Sequence, residues 1–311
     1  MADGPIYDTQ LEEFLLWACR ETGMLAALLD GPKRPETIAR ETGVTEHAAD
    51  VSLAALREMG YLRQSNERYE ATERLDGFRS ETDVLEKGML PHRIDSLEHY
   101  MQLPEIMRTG EPPEHSEGGL ERYQGAMATV DESIIRAIVT AAEHVHPRPD
   151  HVLEVGSGPG GFAREFRRRG AMVTAVDLPP VVDLLSDHYA EDEIEFVAAD
   201  ARESLPTGFE LVFSARMILF FSPDELRAYF ENAYEALEPG GTFVCNARVE
   251  GRSPGIERFA VHMLTVTSGG HSHTAEEYRS TIEEVGFVDP KVQSVPGTPY
   301  HAIVGRKPER S

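Results

Sequence analysis

The chain runs to 311 residues and carries 54 acidic against 30 basic side chains, a formal net charge of −24 at pH 7. Such a length holds one large or two ordinary domains with a sizeable core, and such a charge repels duplex DNA instead of drawing it in. Two isolated cysteines, Cys19 and Cys245, speak against a disulfide framework or a zinc knuckle, and no apolar stretch approaches membrane-spanning length.

Residues 9–78 read as a helical unit. Leu11, Phe14, Leu15 and Ala18 share one helix face, and Met24 to Leu29 supply a second apolar turn. The run from Pro35 closes a short helix at Gly43, and Thr45 opens the next, with Val51, Leu53, Leu56 and Met59 at helical spacing. Leu62-Arg63, the polar stretch Gln64 to Arg68, and Tyr69 to Thr72 then predict a two-stranded wing. This is a winged-helix pattern. Its second helix carries Glu46, Asp50 and Glu58, little suited to phosphates, so dimerisation is favoured over DNA binding.

Residues 81–119 are punctuated by Pro91, Pro104, Pro112 and Pro113 and predict short helices and an irregular loop. Helical periodicity returns over 120–146, with Met127, Ile134, Ile135 and Ile138 on one side, until Pro147-Arg148-Pro149 introduces a sheet.

From there the chemistry begins. His151-Val152-Leu153-Glu154-Val155 is an apolar strand followed by Gly156-Ser157-Gly158-Pro159-Gly160-Gly161 and a helix over 162–169. Glycines there permit a sharp turn and close approach of a ligand to the backbone. Val173 to Asp177 is a second strand ending in an acid able to accept from both ribose hydroxyls. A third strand, Ile194 to Ala199, leads to Asp200, an acceptor for an adenine amino group. Phe209 to Ser214 forms a fourth strand before Ala215-Arg216, and Leu237 to Gly241 a turn into a fifth. A dinucleotide would set a pyrophosphate beside Glu154, which repels it; the ammonium of a methionine moiety suits that acid. An adenosyl-methionine compound therefore fits better than a nicotinamide cofactor.

Together these segments resemble the ordered motifs of class I S-adenosylmethionine (SAM) methyltransferases. With the winged helix ahead of them, the whole chain resembles the caffeate and hydroxyindole (acetylserotonin) O-methyltransferase family. Tyr123-Gln124-Gly125-Ala126-Met127, Gly269-Gly270 followed by Thr274, and Gly286-Phe287 look like further family segments. The resemblance implies an α/β protein: a Rossmann-like class I methyltransferase domain at 147–311, preceded by an all-helical winged-helix dimerisation domain at 1–80 and a helical pocket region at 81–146. It implies SAM as cofactor, S-adenosylhomocysteine (SAH) as product, a small-molecule acceptor and a homodimer. Carried onto this chain, Glu154, Gly156, Gly158, Gly160, Asp177, Leu178, Asp200, Ala201, Ser214 and Arg216 would hold the cofactor. Tyr123, Met127, Phe220 and Met263 would line the acceptor pocket. Arg216 stands where the family has a lysine.

The family's catalytic motif does not carry over. Its His-Asp-Trp-Ser-Asp-Glu segment matches Phe220-Phe221-Ser222-Pro223-Asp224-Glu225, so Phe220 replaces the general base. The glutamates that orient that histidine fall near Asn246 or Ala247 and at Ser272. Methyl transfer from a sulfonium gains much from alignment alone, so an acceptor that ionises by itself, or an amine, thiol or activated carbon, needs a base less. His262, His271 and His273 remain as substitute bases; His144, His146 and His151 read as structural, and no metal-ligand spacing is found. A SAM-binding enzyme of decarboxylase or hydroxylase type, and a SAM-sensing winged-helix regulator, stay open as alternatives. Only Lys33, Lys87, Lys291 and Lys307 are lysines among the bases, an acid-rich, lysine-poor composition that suggests a high-salt habitat. With no basic-then-apolar leader, a cytoplasmic location is expected.

Overall fold

A computed structural model describes residues 8–113 and 116–309. They divide into two compact units, one from the chain up to Met101 with Ser116–Ala126, the other from Gln102 onward apart from that stretch.

The first unit opens with α1 (Asp8–Glu21), α2 (Met24–Leu29), α3 (Pro35–Thr42) and α4 (Glu46–Glu58). Gly43 ends α3 in the left-handed conformation at φ 77°, and the Thr45 side chain caps α4 by accepting from the Ala48 amide. A hairpin of β1 (Leu62–Ser65) and β2 (Arg68–Ala71) supplies the wing, and α5 (Leu90–Met101) follows. The core gathers Leu16, Cys19, Ile38, Leu53, Leu56 and Tyr61. Of the apolar face read on α1, Leu15 packs against this core, whereas Leu11 is 52% and Phe14 41% exposed, and Val51 of α4 is 57% exposed. Period alone cannot say which of two apolar faces is buried.

Next come α6 (Leu103–Thr109), α7 (Gly119–Met127) and α8 (Glu132–Val145); helical periodicity over 120–146 is thus split at 128–131, where Asp131 caps α8. The second unit continues through β3 (His151–Val155), α9 (Gly161–Arg168), β4 (Met172–Asp177), α10 (Pro179–Glu191), β5 (Glu195–Ala198), β6 (Phe209–Ala215), α11 (Pro223–Ala236) and β7 (Leu237–Ala247). It closes with α12 (Ile256–Met263), α13 (Ala275–Val285), β8 (Val288–Ser294) and β9 (His301–Arg306). The sheet runs β5-β4-β3-β6-β7-β9-β8, parallel from β5 to β7, with β9 antiparallel to both β7 and β8. Strand order reverses between β3 and β6, which sets a crevice at their carboxyl ends.

Two features go beyond the sequence expectation. Two more strands complete the sheet, and the expected turn at Leu237 to Gly241 lies inside β7, where pairing with β6 skips from Phe209–Leu237 to Leu211–Thr242. Both faces of the sheet are covered. Phe213 meets Phe162 and Phe166 of α9 on one side, while Tyr229 and Phe230 of α11 meet Phe243 on the other. Phe213 has no exposure, so Phe213→Ala should cost about 3–5 kcal/mol in denaturant unfolding; a loss under about 1 kcal/mol would show that this face is not the core.

Candidate cofactor and acceptor site

The glycine loop is pinned to the neighbouring strand. The amides of Gly156 and Ser157 both donate to the Val176 carbonyl, at 2.8 and 3.2 Å. Gly156 turns at φ 70°, and a Cβ there would lie 2.5 Å from the sulfur of Met217. Gly160 caps α9 at φ 80°, and a Cβ would press within 3.0 Å of the Tyr189 ring. Both positions therefore demand glycine on backbone and on space. Gly158 also has a positive φ, and its amide donates to Asp177 at 2.8 Å.

Beneath the loop lies Glu154, 1% exposed on β3, accepting from the Ser157 hydroxyl at 2.9 Å. Ser157 in turn accepts from the Tyr189 hydroxyl at 2.6 Å, and Tyr189 stacks on Phe196 at 3.8 Å. Burial pushes the Glu154 carboxyl up to about 8, with the nearby Asp177 adding to the rise against the Ser157 hydrogen bond. Ser157 and Tyr189 were not singled out from sequence; Tyr189 sits on α10, 32 positions from Ser157, and no motif joins them.

Asp177, at the end of β4, accepts from the Gly158 and Leu178 amides, each at 2.8 Å and one on each carboxylate oxygen. Each oxygen keeps a lone pair for a ligand hydroxyl. Burial raises its pKa against those two hydrogen bonds. The Leu178 side chain, 45% exposed, stands beside it. Beyond β5, Asp200 accepts from Arg202, whose hydrogen bonds hold its pKa down, and Ala201 is anchored through its carbonyl by Asn232 at 2.9 Å.

At the tip of β6, Arg216 adopts φ 65°, a left-handed backbone in a non-glycine residue. Its amide donates to the Asn246 carbonyl at 2.7 Å and its guanidinium reaches the Met127 sulfur at 3.4 Å. Ser214, near the end of β6, is fully buried and paired in register with Cys245. Phe220 is half-buried in a 3-10 turn at Ile218–Phe220, and its carbonyl accepts from Thr267 at 3.0 Å. Met263 is buried at the end of α12. Tyr123 lies in the first unit, edge-on to His92.

The three candidate bases diverge. His271 is exposed and His273 buried; they line a cavity of about 230 Å³ with Pro223, Leu226, Glu277, Ser280 and Thr281, which includes no cofactor-site residue. Burial and the neighbouring His271 push His273 down to about 4, leaving it a weak base. His262 lies on α12 beside Phe259. The Asn246 amide is fully buried, and neither of its polar atoms has a partner among the described residues. His146 bonds Thr242 and His144 the Thr140 carbonyl. No group of three or more His, Cys, Asp or Glu among the described residues is placed to hold a metal, and no helix among them is long and apolar enough to cross a membrane.

The Glu154 shift has a definite sign in stability. An ordinary glutamate titrates near 4.3, so between about pH 4.3 and 8 the unfolded chain ionises while the native carboxyl keeps its proton. The contribution is whole below that window and lost as pH rises through it. Glu154→Gln should therefore come nearest to wild type at about pH 4 and melt higher near pH 9, by roughly 2–4 °C per kcal/mol recovered. Parallel melting temperatures across that range would refute the shift.

A methyltransferase-domain family model matches residues 152–241. The chain is 26% identical over 156 residues to 3-amino-4-hydroxybenzoate 4-O-methyltransferase of Streptomyces cremeus, covering 47% of this chain and 42% of that one. It is 23% identical over 303 residues to 3-hydroxy-5-methyl-1-naphthoate 3-O-methyltransferase of Streptomyces sahachiroi, covering 87% and 84%. The crystal structure of human N-acetylserotonin methyltransferase in complex with SAM superposes with a TM-score of 0.67 at 20% identity, covering 96% of this chain and 94% of that one. The chain carries a SAM-dependent methyltransferase domain, in the fold shared with the acetylserotonin and caffeate type of O-methyltransferase.

Proposed function

We propose that the protein transfers the methyl group of SAM to a small, planar acceptor and works as a homodimer. One observation carries the reading: Glu154, Asp177 and Asp200 stand at or beside the carboxyl ends of three adjacent strands around a glycine loop, with Arg216 beyond the end of β6. In this reading Glu154 meets the methionine ammonium, Asp177 the ribose hydroxyls, and Asp200 with Ala201 the adenine edge. Gly156, Gly158 and Gly160 let the nucleoside lie against the backbone, Leu178 covers one side of it, and Arg216 takes the methionine carboxylate. The fit rests on the buried acid and on the lone pairs that Asp177 keeps free. The bound donor supplies an electrophilic methyl on a sulfonium.

Phe220 and Met127 bound the acceptor side, and Phe220 offers an aromatic face to a planar acceptor. Acceleration then comes from alignment and from exclusion of water, and the acceptor ionises by itself. The relatives' names support an aromatic acceptor, since two of them specify hydroxylated ring acids. Dimer formation is supported by the exposed apolar side chains Leu11, Phe14 and Val51 on the helical unit. A DNA-binding role would need more positive charge than α4 offers, where Arg57 stands among Glu46, Asp50 and Glu58.

Purified protein incubated with methyl-labelled SAM and a metabolite extract should transfer label to a small molecule. Asp177→Ala should weaken SAM at least about tenfold in calorimetry, the cost of losing a charged hydrogen-bond acceptor. Phe220→Ala should instead raise the acceptor KM with SAM affinity held. Unchanged SAM affinity in the first variant, or lost SAM affinity in the second, would overturn the assignment.

A further inference from the structure

Asp200 is not free. The Arg202 guanidinium forks onto it, Nε to Oδ1 at 2.9 Å and Nη2 to Oδ2 at 2.6 Å, while the Arg202 amide also donates to Oδ1 at 2.9 Å. The remaining arm, Nη1, donates to Glu225 Oε1 at 2.6 Å. Glu225 is itself fixed, because its other oxygen accepts from the Ser222 amide at 2.9 Å in the capping box that opens α11. The Asn232 side chain holds the neighbouring Ala201 carbonyl to the same helix. The turn at 200–202 is thus tied twice to α11.

The number of lone pairs gives this arrangement its consequence. Two donors fill Oδ1, whereas Oδ2 takes Nη2 and only a longer 3.2 Å approach from Nε. One acceptor position on Oδ2 stays open, with its direction set by a planar, bidentate clamp. A carboxylate held that way accepts one N–H and offers nothing to a carbonyl. Ion pairs this exposed contribute little to stability, and Arg202 and Glu225 are 40% and 36% exposed, so stability does not account for the clamp.

We propose that Arg202 is a positioning residue that makes the donor site selective for a 6-amino purine, by holding Asp200 with a single acceptor direction toward the base. This rests on the reading of Asp200 as the adenine-side acid. The test compares calorimetric binding of SAH with that of S-inosylhomocysteine, in which a carbonyl replaces the amino group. Wild type should prefer SAH by at least about tenfold, as sites built for a hydrogen bond reject analogues lacking it. In Arg202→Met the preference should shrink at least about fivefold. In Glu225→Gln, which keeps the helix cap, it should shrink less. A ratio between two ligands is insensitive to a general loss of stability, so a merely structural role would leave it unmoved.

If Asp200→Asn abolishes the preference while Arg202→Met keeps it whole, the positioning role is overturned and the adenine assignment stands. If wild type shows no preference, the adenine assignment itself fails and takes the proposal with it.

Discussion

A carboxyl group with almost no contact with water, Glu154, lies at the centre of this molecule's chemistry. Nothing in the apolar interior of a parallel sheet favours an acid there, and a buried carboxylate without a counter-charge is costly. The structure keeps it neutral and gives it one hydroxyl partner, Ser157, held in turn by Tyr189. The shape of the loop follows from that chain. Gly160 must be glycine because Tyr189 occupies the space above it, and Gly156 because Met217 does the same on the other side. An acid stored in protonated form is also a site prepared for a cation, which can draw out the proton and supply the missing charge.

Around that centre the sheet distributes the remaining polarity by strand. The end of β4 presents Asp177 with both oxygens partly engaged, the segment after β5 presents Asp200 clamped by Arg202, and the tip of β6 presents a cation on a strained backbone. Phe220 and the Thr267 to Gly270 segment close on each other: the Thr267 hydroxyl donates to the Phe220 carbonyl, and a Cβ at Gly270 would run into the Leu219 carbonyl. This end of the sheet carries the half-buried ring of Phe220 and the fully buried side-chain amide of Asn246.

Much of this was legible in the sequence, for physical reasons. Apolar run, glycine loop and strand-end acid are short-range signals, so the strand ends that carry Gly156, Asp177 and Asp200 could be located before the fold was known. The winged helix showed itself in Gly43, Thr45 and the polar hairpin tip, local signals that act over a few residues. What stayed hidden depends on contacts distant in sequence. Tyr189 reaches Ser157 only once α10 packs, and Arg202 meets Glu225 only once α11 docks. Which side of α1 turns inward was not legible, because Leu11 and Phe14 are as apolar as Leu16 and burial depends on which neighbour arrives.

The most direct measurement is proton release on donor binding. With Glu154 protonated at pH 7 in the free protein, the arrival of the SAM cation should expel about one proton, seen in calorimetry as a binding enthalpy that varies with the ionisation heat of the buffer. Glu154→Gln should bind with no such dependence. Binding by wild type with no proton released would contradict the account, because the buried acid would then not be what meets the donor.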